Sequence, residues 1–187
     1  MPTRYDIGRK YLAFEIAWDE HPDPAARKRA LPPLKKVMAA FFTGKADDVA
    51  KLFDEARHAL ESDKPVSDAV RWADTVAVSL QQRLTDPKDA EISVRLERLF
   101  DAGVPIPSSA RAKIQFFDAD RKAMGQPQIV DILSLPSEAK LTVNNSWRGD
   151  CRLRTEILLD DQLLGFNECG ISSVSYTHLT LPTKRIV

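Results

Sequence analysis

Ala73-Asp74-Thr75-Val76-Ala77-Val78-Ser79-Leu80 is where the apolar residues of this chain change their period. Before it they recur every three or four residues, the spacing of one helix face. After it they recur every second residue, the spacing of one strand face. Val76, Val78 and Leu80 alternate with Ala77 and Ser79. The pattern returns in Ile92, Val94 and Leu96, in Ala112, Ile114 and Phe116, and in Leu153, Thr155, Ile157 and Leu159, with Ser93, Arg95, Lys113, Gln115, Arg154 and Glu156 between them. A strand with one apolar and one polar side belongs in an antiparallel sheet with one wet face. Turn-forming residues separate the strands: Asp86-Pro87, Gly103 with Pro105 and Pro107, Gly125 with Pro127, Asn144-Asn145-Ser146 and Asp160-Asp161. Turns about 10 to 20 residues apart suit two packed sheets of immunoglobulin-like size.

Upstream, Ile7, Tyr11, Phe14 and Trp18 are spaced by four, three and four, which is one face of a helix. That helix is expected to stop near His21-Pro22, because the residue before a proline is pushed out of the helical region. Asp23-Pro24 then supplies a cap followed by proline at the first helical position. Leu31-Pro32-Pro33 is expected to interrupt the second run and restart it. Leu34, Val37, Met38 and Phe41 form the next stripe, Gly44 suits its end, and Asp47 and Asp48 fall in the first turn of a third helix. The stripe of that helix is Val49, Phe53, Ala56 and Leu60. The fold expected is α+β: a helical subdomain over residues 1–73 packed with an antiparallel immunoglobulin-like β-sandwich over 74–173.

The chain carries 27 Lys+Arg against 27 Asp+Glu, so nothing in its charge balance favours nucleic acid. With 43% hydrophobic and 29% charged residues it has the composition of an ordinary globular domain. No apolar run approaches the roughly 18 residues of a membrane span, and Met1-Pro2-Thr3-Arg4-Tyr5-Asp6 leads into a charged helix with no secretory leader. Cys151 and Cys169 are the two cysteines, flanking one hairpin. If Asp160-Asp161 is a two-residue turn, facing residues sum to 321, and two odd-numbered cysteines point to opposite faces. A disulfide would need a bulge or an odd-length loop, so thiols are expected.

Gly-x-Ser-x-Gly, His-Glu-x-x-His, a glycine-rich phosphate loop and Cys-x-x-Cys are all missing from the sequence. His21 lies among Asp19, Glu20 and Asp23, but a helix end followed by proline splays these side chains and does not converge them on a metal. His58, beside Arg57 on the third helix, reads as a boundary residue and not as a base. Asp47, Asp48, Asp54, Glu55 and Glu61 read as a solvated polar face. Arg27, Lys28, Arg29, Lys35 and Lys36 form a basic cluster without interleaved aromatics, hence a plain surface. Trp18 and Trp72 belong to apolar faces, whereas Trp147 follows a turn and is the one candidate binding residue. Asn144-x-Ser146 matches a glycosylation sequon. No catalytic, cofactor or metal-ligating residue is assigned, and no cofactor is expected.

Tyr5-x-Ile7-Gly8-Arg9-x-x-x-Ala13-Phe14-Glu15, the Leu31-Pro32-Pro33-Leu34 break with Phe41-Phe42, and Glu55-Ala56-Arg57 leading to Val70-Arg71-Trp72-Ala73 resemble the N-terminal region of a group of large bacterial proteins. In these, helices and a β-sandwich precede an α/β-hydrolase-type esterase domain. The resemblance implies a non-catalytic accessory or interaction module whose partner is a missing C-terminal domain of the same chain. No catalytic residue carries over, because the nucleophile, acid and histidine of that family lie downstream. Two other readings stand beside it: a free-standing binding or adhesion module using loops around Trp147, and a small enzyme or metal site around His21.

Residues 174–187, Val-Ser-Tyr-Thr-His-Leu-Thr-Leu-Pro-Thr-Lys-Arg-Ile-Val, resemble translated sequencing adapter. They are expected to be a non-native tail on a truncated chain. Deleting them should leave the melting temperature within about one or two degrees, as for an undocked terminus. A loss of several degrees in a thermal melt would make the segment a native strand.

Overall fold

A computed structural model describes residues 1–80, 84–85, 91–142 and 149–173. Trp147, the sequon at Asn144, the Asp86-Pro87 turn and residues 174–187 lie outside them. The fold is α+β, with four helices followed by eight strands among the described residues. The helices are α1 (Arg4–Glu20), α2 (Pro24–Phe42), α3 (Ala46–Glu61) and α4 (Asp68–Thr75). The strands are β1 (Val76–Leu80), β2 (Leu84–Thr85), β3 (Glu91–Arg98), β4 (Ala110–Phe117), β5 (Ala123–Asp131), β6 (Ser137–Thr142), β7 (Gly149–Leu159) and β8 (Gln162–Ser173). No helix among the described residues is long and apolar enough to cross a membrane.

Local chemistry sets the helix starts. Thr3 and Asp6 form a reciprocal cap on α1, the Asp6 amide donating to Thr3 Oγ1 (3.3 Å) and the Thr3 amide to Asp6 Oδ2 (2.8 Å). Asp23 accepts from the amides of Ala25 and Ala26, with Pro24 at the first helical position of α2. One expectation is corrected: α2 does not break at Leu31-Pro32-Pro33 but runs through it. Each interior proline removes a hydrogen bond and crowds the preceding turn. Here Ala26 and Ala30 before the pair, and Val37 and Ala40 after it, pack into one core with α3, so tertiary burial keeps both halves in line.

That core is the first of two. Phe14 and Ala17 of α1, the four α2 residues, and Val49, Phe53, Ala56 and Leu60 of α3 form it, with α3 between the other two helices. The rings of Phe14 and Phe53 lie 6.1 Å apart, and Tyr11 meets Phe53 edge-on at 5.5 Å.

The second core lies between two sheets, β1-β3-β6 and β2-β8-β7-β4-β5, antiparallel throughout except for the two-residue parallel pairing of β2 with β8. Strands β3 and β4, β5 and β6, and β6 and β7 are consecutive in the chain but lie in different sheets, the crossing connections of a Greek-key sandwich. Val76, Val78, Ile92, Val94 and Leu96 face Ala112, Ile114, Phe116, Leu153 and Ile157 across it. Trp72 and Ala73 of α4 are buried in this sandwich core and not among the three helices. β5 and β6 were not legible as strands. β5 is an edge strand carrying Gly125 and Pro127 with little burial, and the buried positions of β6 are only Ala139 and Leu141.

The cysteine placement is also corrected. Asp160 and Asp161 form the expected two-residue turn, both at positive φ, and Leu159↔Gln162 and Leu158↔Leu163 sum to 321. Leu164 is then an extra residue: Ile157 pairs with Gly165, the sum becomes 322, and parity inverts. Cys151 and Cys169 therefore share the buried inner face instead of opposing faces. Cys151 stands opposite Ile171, and Cys169 opposite Leu153. Such a diagonal pair is about 7 to 8 Å apart, too far for an unstrained bridge, and both remain thiols.

Phe14 and Phe53 each occupy the centre of the helical core. Phe14→Ala and Phe53→Ala should each cost about 3 to 5 kcal/mol in urea unfolding. Near-neutral results for both would mean that the three helices share no core.

Candidate functional site

On α3, charged residues recur at the spacing of a helix face: Asp54, then Arg57 and His58, then Glu61. This stripe runs beside the apolar one and turns toward the seam where the helices meet the sandwich. Lys10 reaches it from α1 and Asp74 from the last turn of α4. The Lys10 Nζ lies 2.9 Å from Asp54 Oδ1 and 2.8 Å from Oδ2, and also donates to the Asp74 carbonyl at 2.6 Å. It forms a hydrogen bond of good geometry only to Oδ1 and holds Oδ2 by charge alone. Arg57 donates to Asp74 Oδ1 (2.8 Å) and to Glu61 (3.0 Å), while His58 Nε2 stands 2.6 Å from Asp74 Oδ2. Asp54 was expected on a solvated face and is instead 7% exposed, because α1 and α4 cover that side of α3. Glu61, at the end of α3, remains partly exposed.

Two contacts of His58 Nε2 compete. Arg57 comes within 3.1 Å and can only donate, which would require an unprotonated nitrogen, whereas Asp74 at 2.6 Å requires a protonated one. The carboxylate contact is shorter and charge-assisted, so Nε2 carries the proton and the Arg57 approach is a like-charge contact tolerated through the shared Asp74. Burial disfavours the charged imidazole, but hydrogen bonds to Asp74 and Glu61 outweigh it and raise its pKa from 6.5 to about 9. Glu61 is lowered despite partial burial, through His58 and Arg57, and Asp74 is lowered by the same two neighbours and Lys10. Asp54 differs: burial dominates the pull of Lys10, Asp74 opposes its charge, and its carboxyl rises to about 6.

Against this cluster lies a cavity of about 120 Å³, bounded by Asp54, His58, Asp74 and Arg71 on one side and by Phe100 and Ala102 on the other. Among the described residues, no serine, threonine or cysteine lines it. A larger open depression of about 700 Å³ borders Gly44–Asp48 and Arg98–Asp101. The seam extends beyond the cavity. Arg9 donates to the Val78 carbonyl (3.3 Å) and to Asn167 Oδ1 (2.9 Å), and Asn167 donates to the Val76 carbonyl (3.0 Å). A small apolar contact of Ala50, Ala77, Leu99 and Phe100 lies alongside. His21 caps the C-terminus of α1, and no group of His, Cys, Asp or Glu among the described residues could hold a metal. The Cys151 thiol, pushed up to about 12 chiefly by burial, is poorly reactive. Lys10 and Asp74 escaped sequence reading because each stands alone in its own helix pattern. The Asp54/Arg57/His58/Glu61 stripe was the one available signal.

Two of the raised groups, His58 and Asp54, make stability depend on pH in one direction. His58 binds its proton more tightly when folded, so its contribution is complete below about pH 6.5 and is lost as pH rises through about 9. Asp54 also gains stability as it protonates below about pH 6. The melting temperature should therefore fall between pH 7 and pH 9.5, and His58→Gln should flatten that fall while lowering the value at pH 7. An equal slope in the variant would remove His58 as the cause. Asp74→Asn, which leaves Arg57 and His58 only the partly exposed Glu61 to face, should cost about 3 kcal/mol in urea unfolding, the lower end for a buried pair that loses one partner.

No known protein-family model matches the chain, and no curated protein is similar to it in sequence. Among solved structures it is similar to a Bacteroides fragilis protein assigned as a beta-galactosidase. That similarity has 14% identity and a TM-score of 0.34 over 52% of this chain. The match spans 16% of that protein's length, and at this level of likeness it bears on neither fold nor activity here.

Proposed function

We propose that this chain is a non-catalytic accessory or interaction module from the N-terminal part of a larger bacterial protein, with an esterase-type hydrolase as the parent and its missing C-terminal domain as the partner. The observation that carries the reading is the state of the seam cluster. Lys10, Arg57 and His58 face Asp54, Glu61 and Asp74, so each charge is taken up by another group of the same cluster. A histidine with a pKa near 9 is already protonated at neutral pH and cannot accept a proton from a nucleophile. Among the described residues, the adjoining cavity offers no serine, threonine or cysteine side chain for it to activate. The resemblance of the Arg9, Arg57 and Trp72 segments to the region preceding esterase domains supplies the parent. The neutral charge balance argues against a nucleic-acid partner.

One observation favours a second reading. Asp54 titrates near pH 6 beside a cavity, as a general acid would. The two readings separate in one assay, turnover of an activated ester from pH 5 to 9 by the protein and by Asp54→Asn and His58→Ala. The accessory reading expects no turnover above buffer in any of the three, with both variants changed only in melting temperature. Turnover abolished by either substitution would overturn it in favour of an enzyme at the seam.

A further inference from the structure

Helix spacing assembles the walls of the seam cavity. Lys51, Asp54 and His58 are three and four residues apart, so they lie in one line along α3. Arg71 and Asp74, three apart, share a face of α4. Those two lines, with Val66 ahead of α4 and with Phe100 and Ala102 after β3, enclose the space of about 120 Å³. Its charges balance: Asp54, Glu55 and Asp74 are the acids, and Lys51, His58 and Arg71 the bases. Asp74 already holds Arg57 and His58, and Arg71 pairs with Asp68 at the exposed rim. Asp54 is the exception. Only 7% of it is exposed, and its Oδ2 receives no hydrogen from any described residue, since Lys10 bonds through Oδ1. A buried carboxylate oxygen without a donor is costly, and this one belongs to a residue that borders open space.

The lining narrows the occupant. An organic cation would meet Lys51, His58 and Arg71, and an anion would meet Asp54, Glu55 and Asp74, so a neutral molecule fits best. It needs a hydrogen-bond donor for Asp54 Oδ2 and an apolar body for Val66, Phe100 and Ala102. The face of an aromatic ring carries partial negative charge and suits the cations, as Phe100 already does for Lys51 Nζ at 5.5 Å and Lys10 Nζ at 6.0 Å. Apolar cavities of about 150 Å³ hold a benzene ring. A space of about 120 Å³ bordered by exposed Glu55 and Arg71 has room for one small ring. We propose that the seam cavity is a binding site for a small phenol, whose hydroxyl donates to Asp54 Oδ2 and whose ring lies against Phe100, Ala102 and Val66. A phenol is uncharged at neutral pH and keeps its proton to donate. The site is independent of which domain follows in the parent.

The test is an amide-resolved NMR titration of the whole chain at pH 7 with phenol, toluene and benzylammonium. Phenol should shift the amides of Phe100 and Ala102 saturably, with a dissociation constant on the order of 1 mM. Toluene carries a methyl group in place of the hydroxyl and leaves Asp54 Oδ2 without a donor, so it should bind at least about tenfold more weakly. Benzylammonium should also bind more weakly than phenol. Ala102→Leu adds bulk to the wall at a position outside the charge cluster and should abolish the phenol shifts. Asp54→Asn removes the charged acceptor and should weaken phenol by about tenfold. Should that variant fail to fold, Ala102→Leu and the toluene comparison still decide. The proposal is overturned by the lack of a saturable shift at these residues up to about 20 mM phenol. It is equally overturned if toluene binds as well as phenol, or if Ala102→Leu leaves phenol binding unchanged. Tighter binding of benzylammonium than of phenol would overturn it too and make the seam a site for a cation.

Discussion

The Asp74 residue is where the two halves of this protein are fastened. Its carboxylate receives Arg57 and His58 from α3, and its carbonyl receives Lys10 from α1. It stands one residue before the end of α4, from which the chain passes directly into the first strand of the sandwich. The helical core and the sandwich core do not merge, and the apolar contact between them is small. Without the charges, little would fix how one half sits on the other. Hydrophobic contact is non-directional, whereas a carboxylate shared between a guanidinium and an imidazolium accepts few geometries.

Such a cluster is not an efficient source of stability. Taking six ionisable groups partly out of water has a desolvation cost that their mutual attraction only offsets, and apolar residues of similar volume often serve as well. What it supplies is orientation, together with a strong penalty for losing one member. The rise in the pKa of Asp54 is the visible remainder of that cost: it is the group whose burial is least compensated. Arg9 and Asn167 extend the same device along the seam, satisfying carbonyls of β1 that face the helices.

The amphipathic pattern made the helix faces and most strand faces legible from spacing alone. Phe14, Phe53, Ile114 and Leu153 are buried because apolar residues at the period of their element must leave water together. The cap at Asp23 and the turn at Asp160-Asp161 were equally legible, since a side chain or a φ angle decides them within a few residues; the Thr3 cap, as local as these, went unread. Spacing could not reveal β5, whose residues are mostly exposed, or β6, whose buried side chains are few and include one alanine.

Where chain neighbours do not decide, the tertiary structure did. Burial of four α2 residues against α3 carried the helix through two prolines whose local preference is to break it. One extra residue at Leu164 inverted the parity of β8 and brought both cysteines inward, which no count along the sequence can foresee. The seam cluster is of the same kind. Lys10, Asp54 and Asp74 are 20 residues or more apart in the chain and look like surface charges one at a time. The sequence by itself determined which side of each element avoids water, because periodicity is a local property. Which charges were caught where those sides close on one another depended on contacts between distant segments, and only the folded chain makes those.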